Sequence, residues 1–256
     1  MPTVTLPTKV YNNSQLKLVD EKLQSMLKGL KVETKIRGVS SRGLVQITVS
    51  GEDEKVALNY LREQIGLCPT FLQNVEKFST VKGYVASLNK KGLYVDIGIV
   101  SPNTVEAAIS LKLLQAQLVD GRKMALEKIA DLFGFVENLP LTVKICGVDK
   151  EKSRVEAVLS EKQLGLYRGW TKSLLDRLIV LGASFNEIVL ALKKTGCNRD
   201  VVSIERLGLF ENAVVSKLGT DAVGLVPKIG RKLRNAYFSI FNPREIIEFL
   251  GDYSTL

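Results

Sequence analysis

Hydrophobic residues in the first quarter of the chain switch between a period of two and a helical period. Val32–Val39 and Leu44–Val49 alternate apolar and polar positions, as half-buried strands do, and Thr3–Val10 is predicted to form a short strand. Ser14 can cap a helix whose apolar side chains recur three and four residues apart, and a second helix begins at the acidic run 52–54. The pattern predicts a β-α-β-β-α order.

Residues 80–162 contain two strand-turn-strand pieces. The first covers 81–98 and turns at Asn89-Lys90-Lys91, and the second begins at 141 and turns near Asp149. The apolar stripes of the intervening residues, 101–139, predict a mostly helical insert that includes Val105–Leu114. The two pieces are predicted to form the two ends of one small barrel.

The last third of the chain mixes the two periods. Apolar spacing predicts a helix over Trp170–Leu181 and another that begins at Ser184 with the capping-box residue Glu187. Short strands and a final helix should follow, at 201–204, 213–217, 222–226 and 243–250. The two helices around Gly182 could form a DNA-reading helix-turn-helix over Leu174–Lys194, although most such pairs are plain packing.

Composition excludes several function classes. The 256 residues contain no histidine, so the commonest general base and every Ser-His or Cys-His pair are absent. Cys68, Cys146 and Cys197 lie far apart in the sequence and form no metal-binding motif. We therefore expect no catalytic residue, no cofactor and no metal, although carboxylate or lysine chemistry stays open.

The chain also lacks the segments that direct proteins to membranes. No run of about 20 apolar residues exists, and residues 1–7 lack the basic and apolar regions of a secretion signal. We expect a cytoplasmic protein. The sequence leaves the oligomeric state open.

The net charge of +9 is spread along the chain, with excesses of +3, +2 and +4 in residues 1–79, 80–160 and 161–256. Such a field favours polyanions. The densest basic stretch contains Lys228, Arg231, Lys232 and Arg234. We expect these four residues to contact phosphates, the alternative being an ordinary solvated face.

The first strand pair combines aromatic and basic residues, as single-stranded nucleic-acid sites do. The candidates are Lys82, Tyr84, Lys90, Lys91 and Tyr94. The tyrosines would stack on bases, and the lysines would follow the backbone. The alternative for the two tyrosines is that they are half-buried strand residues.

These pieces resemble the S-one-type OB domain of ribosomal and translation proteins. Gly83-Tyr84-Val85 resembles the first-strand Gly-x-Val of that family, and Gly92 through Gly98 resembles its Gly-x-x-Val-Asp-x-Gly. The late strands, from Val143 to Ser160, match with approximate spacing. Lys91-Gly92-Leu93-Tyr94 stands where the family often has an aromatic-Gly-Ala-Phe stretch. The first aromatic is missing, so the resemblance implies one stacking aromatic, Tyr94.

The whole chain further resembles an archaeal family known as a domain of unknown function. The segments that carry this resemblance are 121–123, 139–141 and 218–224. It implies an archaeal origin, and no catalytic residue follows from it.

These patterns predict an α+β protein of several domains. A small N-terminal α/β sandwich would cover residues 1–75, and an OB-type barrel would cover 80–162 with its helical insert at 101–139. A C-terminal helical and β module would cover 163–256.

The predicted function is non-enzymatic binding of RNA, with the ribosome or the translation machinery as partner. One alternative is a transcription-associated factor that binds nucleic acid. Another is a protein-interaction scaffold whose basic surface only keeps it soluble.

Overall fold

The computed structural model describes residues 3–101 and 103–251. These residues form a closed five-stranded barrel between a three-stranded and a four-stranded sheet, with eight α-helices in the described ranges. The predicted fold class, α+β with several domains and an OB-type barrel, is confirmed.

The N-terminal unit packs two helices on one antiparallel sheet. Its elements are β1 (Thr3–Lys9), α1 (Gln15–Met26), β2 (Val32–Val39), β3 (Leu44–Gly51) and α2 (Glu54–Gln64). This order of elements confirms the predicted β-α-β-β-α order, and the strands lie in the order β1-β3-β2 within the sheet. The helices bury their apolar faces against β3, whose side chains on that face are fully enclosed.

The barrel closes in the order β4-β5-β6-β8-β7. Its strands are β4 (Thr80–Asn89), β5 (Gly92–Ile99), β6 (Val105–Ser110), β7 (Pro140–Asp149) and β8 (Arg154–Leu159). The β6–β8 pair is parallel, and β4 closes the barrel against β7. Two helices, α3 (Leu111–Leu118) and α4 (Leu126–Phe133), stand between β6 and β7.

The prediction of a helix from Val105 was wrong, because residues 105–110 form β6. Val105, Ala107 and Ile109 are buried, whereas the residues between them are less buried, so the period is two. A strand here bridges β5 and β8 and closes the barrel. The insert is therefore one strand followed by two helices.

The C-terminal unit is built on a sheet in the order β10-β11-β9-β12. Its elements are α5 (Glu161–Ser173), β9 (Arg177–Leu181), α6 (Phe185–Thr195), β10 (Val201–Arg206), β11 (Glu211–Ser216), α7 (Val226–Gly230), β12 (Tyr237–Phe241) and α8 (Pro243–Leu250). Helix α5 leads directly out of the barrel and packs beside α8.

The predicted helix over Trp170–Leu181 was wrong, and the helix-turn-helix with it. Helix α5 ends at Ser173, where Leu174 adopts a left-handed conformation, and the chain then enters β9. All five β9 residues are buried, so the segment lacks the alternation that marks a half-exposed strand. A central strand buried on both faces cannot be told from a buried helix by period alone.

The strand predicted over 222–226 was also wrong. A short 3-10 turn at Val223–Leu225 leads into α7 there, and the fourth strand of the sheet is β12, which the pattern did not indicate. Strand β12 pairs with β9 from Tyr237 to Phe241.

The barrel and the C-terminal unit share one hydrophobic core. Phe133 of α4 meets Tyr167 of α5 with ring centroids 5.5 Å apart, and Trp170 lies 5.0 Å from Phe241 of β12. Such aromatic pairs fix relative orientation as well as burying area. This shared core holds the C-terminal unit against the barrel.

Candidate nucleic-acid interface

All three units meet at a cavity of about 690 Å³, here called the junction cleft. The N-terminal unit contributes residues from the end of β1 and from the β2–β3 turn. The barrel contributes residues of β4, Asp96 of β5 and Asn138, and the C-terminal unit contributes residues 234–237, which lead into β12. The lining residues are Lys9, Val10, Tyr11, Asn12, Ser41, Arg42, Gly43, Tyr84, Val85, Ala86, Asp96, Asn138, Arg234, Asn235, Ala236 and Tyr237.

Lys9 is a half-buried cation of the junction cleft. Its Nζ lies 5.8 Å from the centre of the Tyr84 ring, and its backbone N–H donates to Tyr84 Oη across 3.2 Å. Burial lowers the pKa of the Lys9 ammonium, while Asp96 and Glu211 oppose that shift. An anion in the cleft would stabilise the charged form of this lysine.

Arg42 extends from the β2–β3 turn and forms an ion pair with Glu106 on the outer face of the barrel. Asp96 is buried, and its Oδ1 accepts from the Gly98 N–H across 2.9 Å. These two carboxylates balance part of the positive charge at the barrel end of the cleft.

Tyr11 connects the three units at the floor of the junction cleft. Its Oη lies 3.0 Å from Glu211 Oε1 and 3.4 Å from the backbone oxygen of Asn138. Burial, reinforced by Glu211, raises the pKa of the Tyr11 hydroxyl, which therefore stays protonated and donates. Gln15 adds a second link, because its Nε2 donates to Gly182 O across 2.8 Å.

A second cavity of about 430 Å³, the basic groove, continues from the junction cleft along the C-terminal unit. The two cavities share Asn12, Arg234, Asn235 and Ala236. Arg231 and Lys232 line the groove and are exposed. In the described ranges, Arg231, Lys232 and Arg234 form no ion pair, and Glu187 is the one carboxylate that lines the groove with them.

An exposed aromatic stands at the rim of the junction cleft. Tyr237 is the first residue of β12 and leaves 62% of its surface open. It follows Arg234 by three residues, so an aromatic face and a guanidinium border the same cavity. Stacking on such a face contributes about 1–3 kcal/mol per base in single-strand binding proteins.

Two of the predicted binding residues do not lie open on the barrel face, because each contacts a neighbouring unit. Tyr84 is 2% exposed, and its Oη donates to Pro7 O across 3.1 Å, so its ring joins the barrel to the N-terminal unit. Lys82 donates from Nζ to Leu207 O across 2.8 Å and joins the barrel to the C-terminal unit. Tyr84 is buried and Lys82 is half-buried because neighbouring units cover this part of β4.

Lys90 and Lys91 are exposed at the β4–β5 turn, and Tyr94 is half-buried on β5 opposite Ala108 of β6. These three residues share one end of the barrel, but they do not line the junction cleft. The outer face beside them also carries acid, because Glu156 of β8 lies opposite Ala108 and pairs with Arg154 at 3.1 Å.

The N-terminal unit covers the other end of this barrel face. A Cβ on Gly98 of β5 would come within 2.5 Å of Cys68 Cβ, so the two units touch at the backbone of β5. The face formed by β5 and β6 corresponds to the usual oligonucleotide face of an OB-fold. Tyr94 lies toward the opposite end of this face and is half-buried.

The structure brings Arg231, Lys232 and Arg234 to the cleft and groove, while Lys228 is exposed on α7 outside both linings. Sequence reasoning missed Lys9, Arg42 and Tyr237. Lys9 and Arg42 lie alone in unremarkable segments, and only tertiary structure brings them together. One feature of the sequence could have identified Tyr237 as a binding residue, namely its position just after the basic stretch.

The described ranges contain no group of three or more His, Cys, Asp or Glu side chains that could hold a metal ion. All three cysteines are free, and burial raises the pKa of the Cys68 thiol to about 12. No helix in the described ranges has both the length and the apolar character of a membrane span.

Three family models match the chain. The DUF2110 N-terminal domain matches residues 3–70, the DUF2110 central domain matches 75–171, and the DUF2110 C-terminal domain matches 175–241. A search of curated proteins found no match.

Solved structures with some similarity include archaeal proteins. Uncharacterized protein MJ1198 from Methanocaldococcus jannaschii is 16% identical, with 34% of this chain and 95% of that chain covered and a TM-score of 0.24. A chain of the a/eIF2alpha-aDim2p-rRNA complex from Pyrococcus horikoshii is 14% identical, with 48% of this chain and 64% of that chain covered and a TM-score of 0.27. This chain therefore spans less than two thirds of the length of that one.

The intact alpha subunit of aIF2 from Pyrococcus abyssi is 10% identical. The match covers 65% of this chain and 96% of that chain, with a TM-score of 0.26. Identities and TM-scores this low carry no argument about function.

Proposed function

This chain belongs to the DUF2110 family, and on that premise we propose that it binds single-stranded RNA through the junction cleft and the basic groove. The proposal is one of binding without catalysis. The observation that carries it is the continuity of the two cavities, which places Arg231, Lys232 and Arg234 in line with Lys9 and Arg42.

The arrangement of charges supports a polyanion as the ligand. Arg231, Lys232 and Arg234 are exposed and have no carboxylate partner in the part of the chain that the structure describes. A backbone that lies along the groove would displace counterions from these side chains, which gives affinity that depends strongly on salt.

The exposed ring of Tyr237 favours single-stranded RNA over a duplex as the ligand. This ring borders the junction cleft, and a base must be unpaired to stack on it. The cleft then supplies what a single strand needs, an aromatic platform beside a positively charged channel.

In this proposal the barrel makes additional contacts with the RNA, outside the cleft and the groove. Lys90, Lys91 and Tyr94 would extend contacts along their end of the OB face, and Lys228 would add a phosphate contact on α7. The resemblance of residues 80–162 to the ribosomal S-one-type domain makes ribosomal RNA and the translation machinery the first partners to test.

The test is binding of the full chain to a fluorescent single-stranded RNA over a salt series. We compare the wild type with Arg231→Gln/Lys232→Gln and with Lys112→Gln/Lys128→Gln, which removes the same charge from exposed lysines of α3 and α4. The groove variant should bind at least tenfold more weakly, and its salt slope should be shallower by about 1.4.

Equal affinities and slopes for the two double variants would contradict the groove assignment. Lys90→Gln/Lys91→Gln then asks whether the barrel turn is the main contact instead, because a shallower slope in that variant alone would move the site there. Tighter binding of duplex DNA than of single-stranded RNA would favour a transcription-associated factor.

A further inference from the structure

A second pair of cavities, of about 420 and 340 Å³, shares no lining residue with the junction cleft. Lys82, Lys162 and Arg206 line both of them, so the two cavities meet at these three cations. We call this place the Lys82 site. Each cation comes from a different element, namely β4, α5 and β10.

The charged side chains that line this site are all positive. Lys22 of α1 lines the smaller cavity and adds a fourth cation, whereas no aspartate or glutamate lines either cavity. Within the described ranges, none of the four cations forms an ion pair. Four cations face one buried carboxylate, Glu211, which acts on Lys82 from behind the cavity walls, so the net charge is positive and the site favours an anion.

Lys82 is the centre of this arrangement. Its Nζ donates to Leu207 O across 2.8 Å, and an ammonium has two further protons to donate. Burial lowers its pKa, the charge of Lys162 lowers it further, and the buried Glu211 opposes both. A bound anion would offset the cost of keeping this ammonium charged.

The walls also supply what an organic group needs. Leu6 and Met26 line the smaller cavity, Leu166 lines the larger one, and Thr142 and Gln163 add polar atoms beside the lysines. A cavity of about 420 Å³ lies within the range of small-molecule sites, roughly 300–1,000 Å³. The volume exceeds what a bare inorganic ion fills.

We propose that the Lys82 site binds a phosphate monoester, with the phosphate held between Lys82, Lys162 and Arg206 and the organic group along the apolar wall. A dianion matches several cations better than a single carboxylate does. Two sources share this chemistry, a small phosphorylated molecule and the 5′-phosphate of an RNA.

The test is calorimetry on the full chain in a phosphate-free, low-salt buffer, with inorganic phosphate, AMP and adenosine as probes. AMP should bind at one site per chain, inorganic phosphate more weakly, and adenosine not measurably. Lys162→Met should weaken AMP binding at least tenfold, because Lys162 is exposed and its loss leaves the fold intact. Lys112→Met, an exposed lysine of α3, is the matched control.

Arg206→Gln gives a second, independent variant, and it should also weaken AMP binding tenfold or more. Its guanidinium lies 4.5 Å from the Phe185 ring centre, so thermal unfolding must accompany this measurement. The groove variant Arg231→Gln/Lys232→Gln should bind AMP like the wild type, which separates this site from the RNA surface.

A comparison of binding to RNA with and without a 5′-phosphate distinguishes the two sources of the phosphate. A preference for the phosphorylated RNA that Lys162→Met abolishes assigns the site to an RNA end, and AMP binding without such a preference assigns it to a small molecule. If no phosphate probe binds at millimolar concentration, or if Lys162→Met and Lys112→Met bind AMP equally, the proposal is overturned.

Discussion

Tyr11 Oη donates to Glu211 Oε1 across 3.0 Å, although the two residues lie 200 positions apart in the chain. The bond joins the end of β1 to the start of β11 and forms the floor of the junction cleft. Glu211 is fully buried, and its other oxygen, Oε2, has no hydrogen-bond partner among the described residues. The carboxylate therefore depends on Tyr11 and on the nearby lysines.

Removing the tyrosine hydroxyl tests this link. Tyr11→Phe should lower the free energy of unfolding by about 1–3 kcal/mol, because it leaves a buried carboxylate without its donor. Urea unfolding of the full chain measures the change. The control is Tyr60→Phe, which removes a hydroxyl from a partly exposed tyrosine of α2 and should change stability little. Equal effects of the two variants would contradict a special role for Tyr11.

Glu211 should make stability fall as pH rises. Burial raises its pKa from 4.5 to about 7, while Lys82 and Tyr11 oppose that shift. Between these two pH values the folded chain binds the proton of Glu211 more tightly than the unfolded chain does. The contribution of Glu211 to stability is therefore fully present below pH 4.5 and is lost as the pH rises through 7. The decline from this residue amounts to about 3 kcal/mol.

Glu211→Gln should remove that decline. Unfolding free energies measured at pH 5 and at pH 8 should therefore differ less in this variant than in the wild type. Glu63→Gln, which alters an exposed glutamate of α2, should keep the full difference. A wild-type pH dependence that persists unchanged in Glu211→Gln would rule out the buried carboxyl as its origin.

The contact between Gly98 and Cys68 should be intolerant of a side chain. Gly98 has φ +84°, and an added Cβ would lie 2.5 Å from Cys68 Cβ. Gly121 has φ +73° with no atom within 4 Å of the same position, so Gly121→Ala carries the backbone strain without the clash. Gly98→Ala should cost about 1–3 kcal/mol more than Gly121→Ala in denaturant unfolding. Similar costs would mean that the two units can separate at this point.

Tyr237 and Tyr94 offer a direct comparison of two aromatic sites. Tyr237→Ala should weaken single-stranded RNA binding by about 1–3 kcal/mol through lost stacking, with the salt slope unchanged because no charge is removed. Tyr94→Ala should have a smaller effect, since that ring is half-buried beside Ala108. A larger loss for Tyr94 than for Tyr237 would move the main base contact to the barrel face.

The sequence alone determined the fold class and those helices and strands that can be identified from the pattern of neighbouring residues. The N-terminal β-α-β-β-α order follows from clean two-residue and helical periods, and the paired strands of the barrel follow from their turns. The basic stretch from Lys228 to Arg234 is also visible as a run. These features depend on neighbours in sequence, which local pattern can describe.

Only the tertiary structure decided which of these residues are accessible and which are adjacent. Strand β9 carries no alternation because it is buried on both faces, and Tyr84 is enclosed because the N-terminal unit packs over β4. Lys9 and Arg234 are 225 positions apart, yet they line one cavity. Burial by a distant unit and convergence of distant charges depend on long-range packing, which no local pattern in the chain specifies.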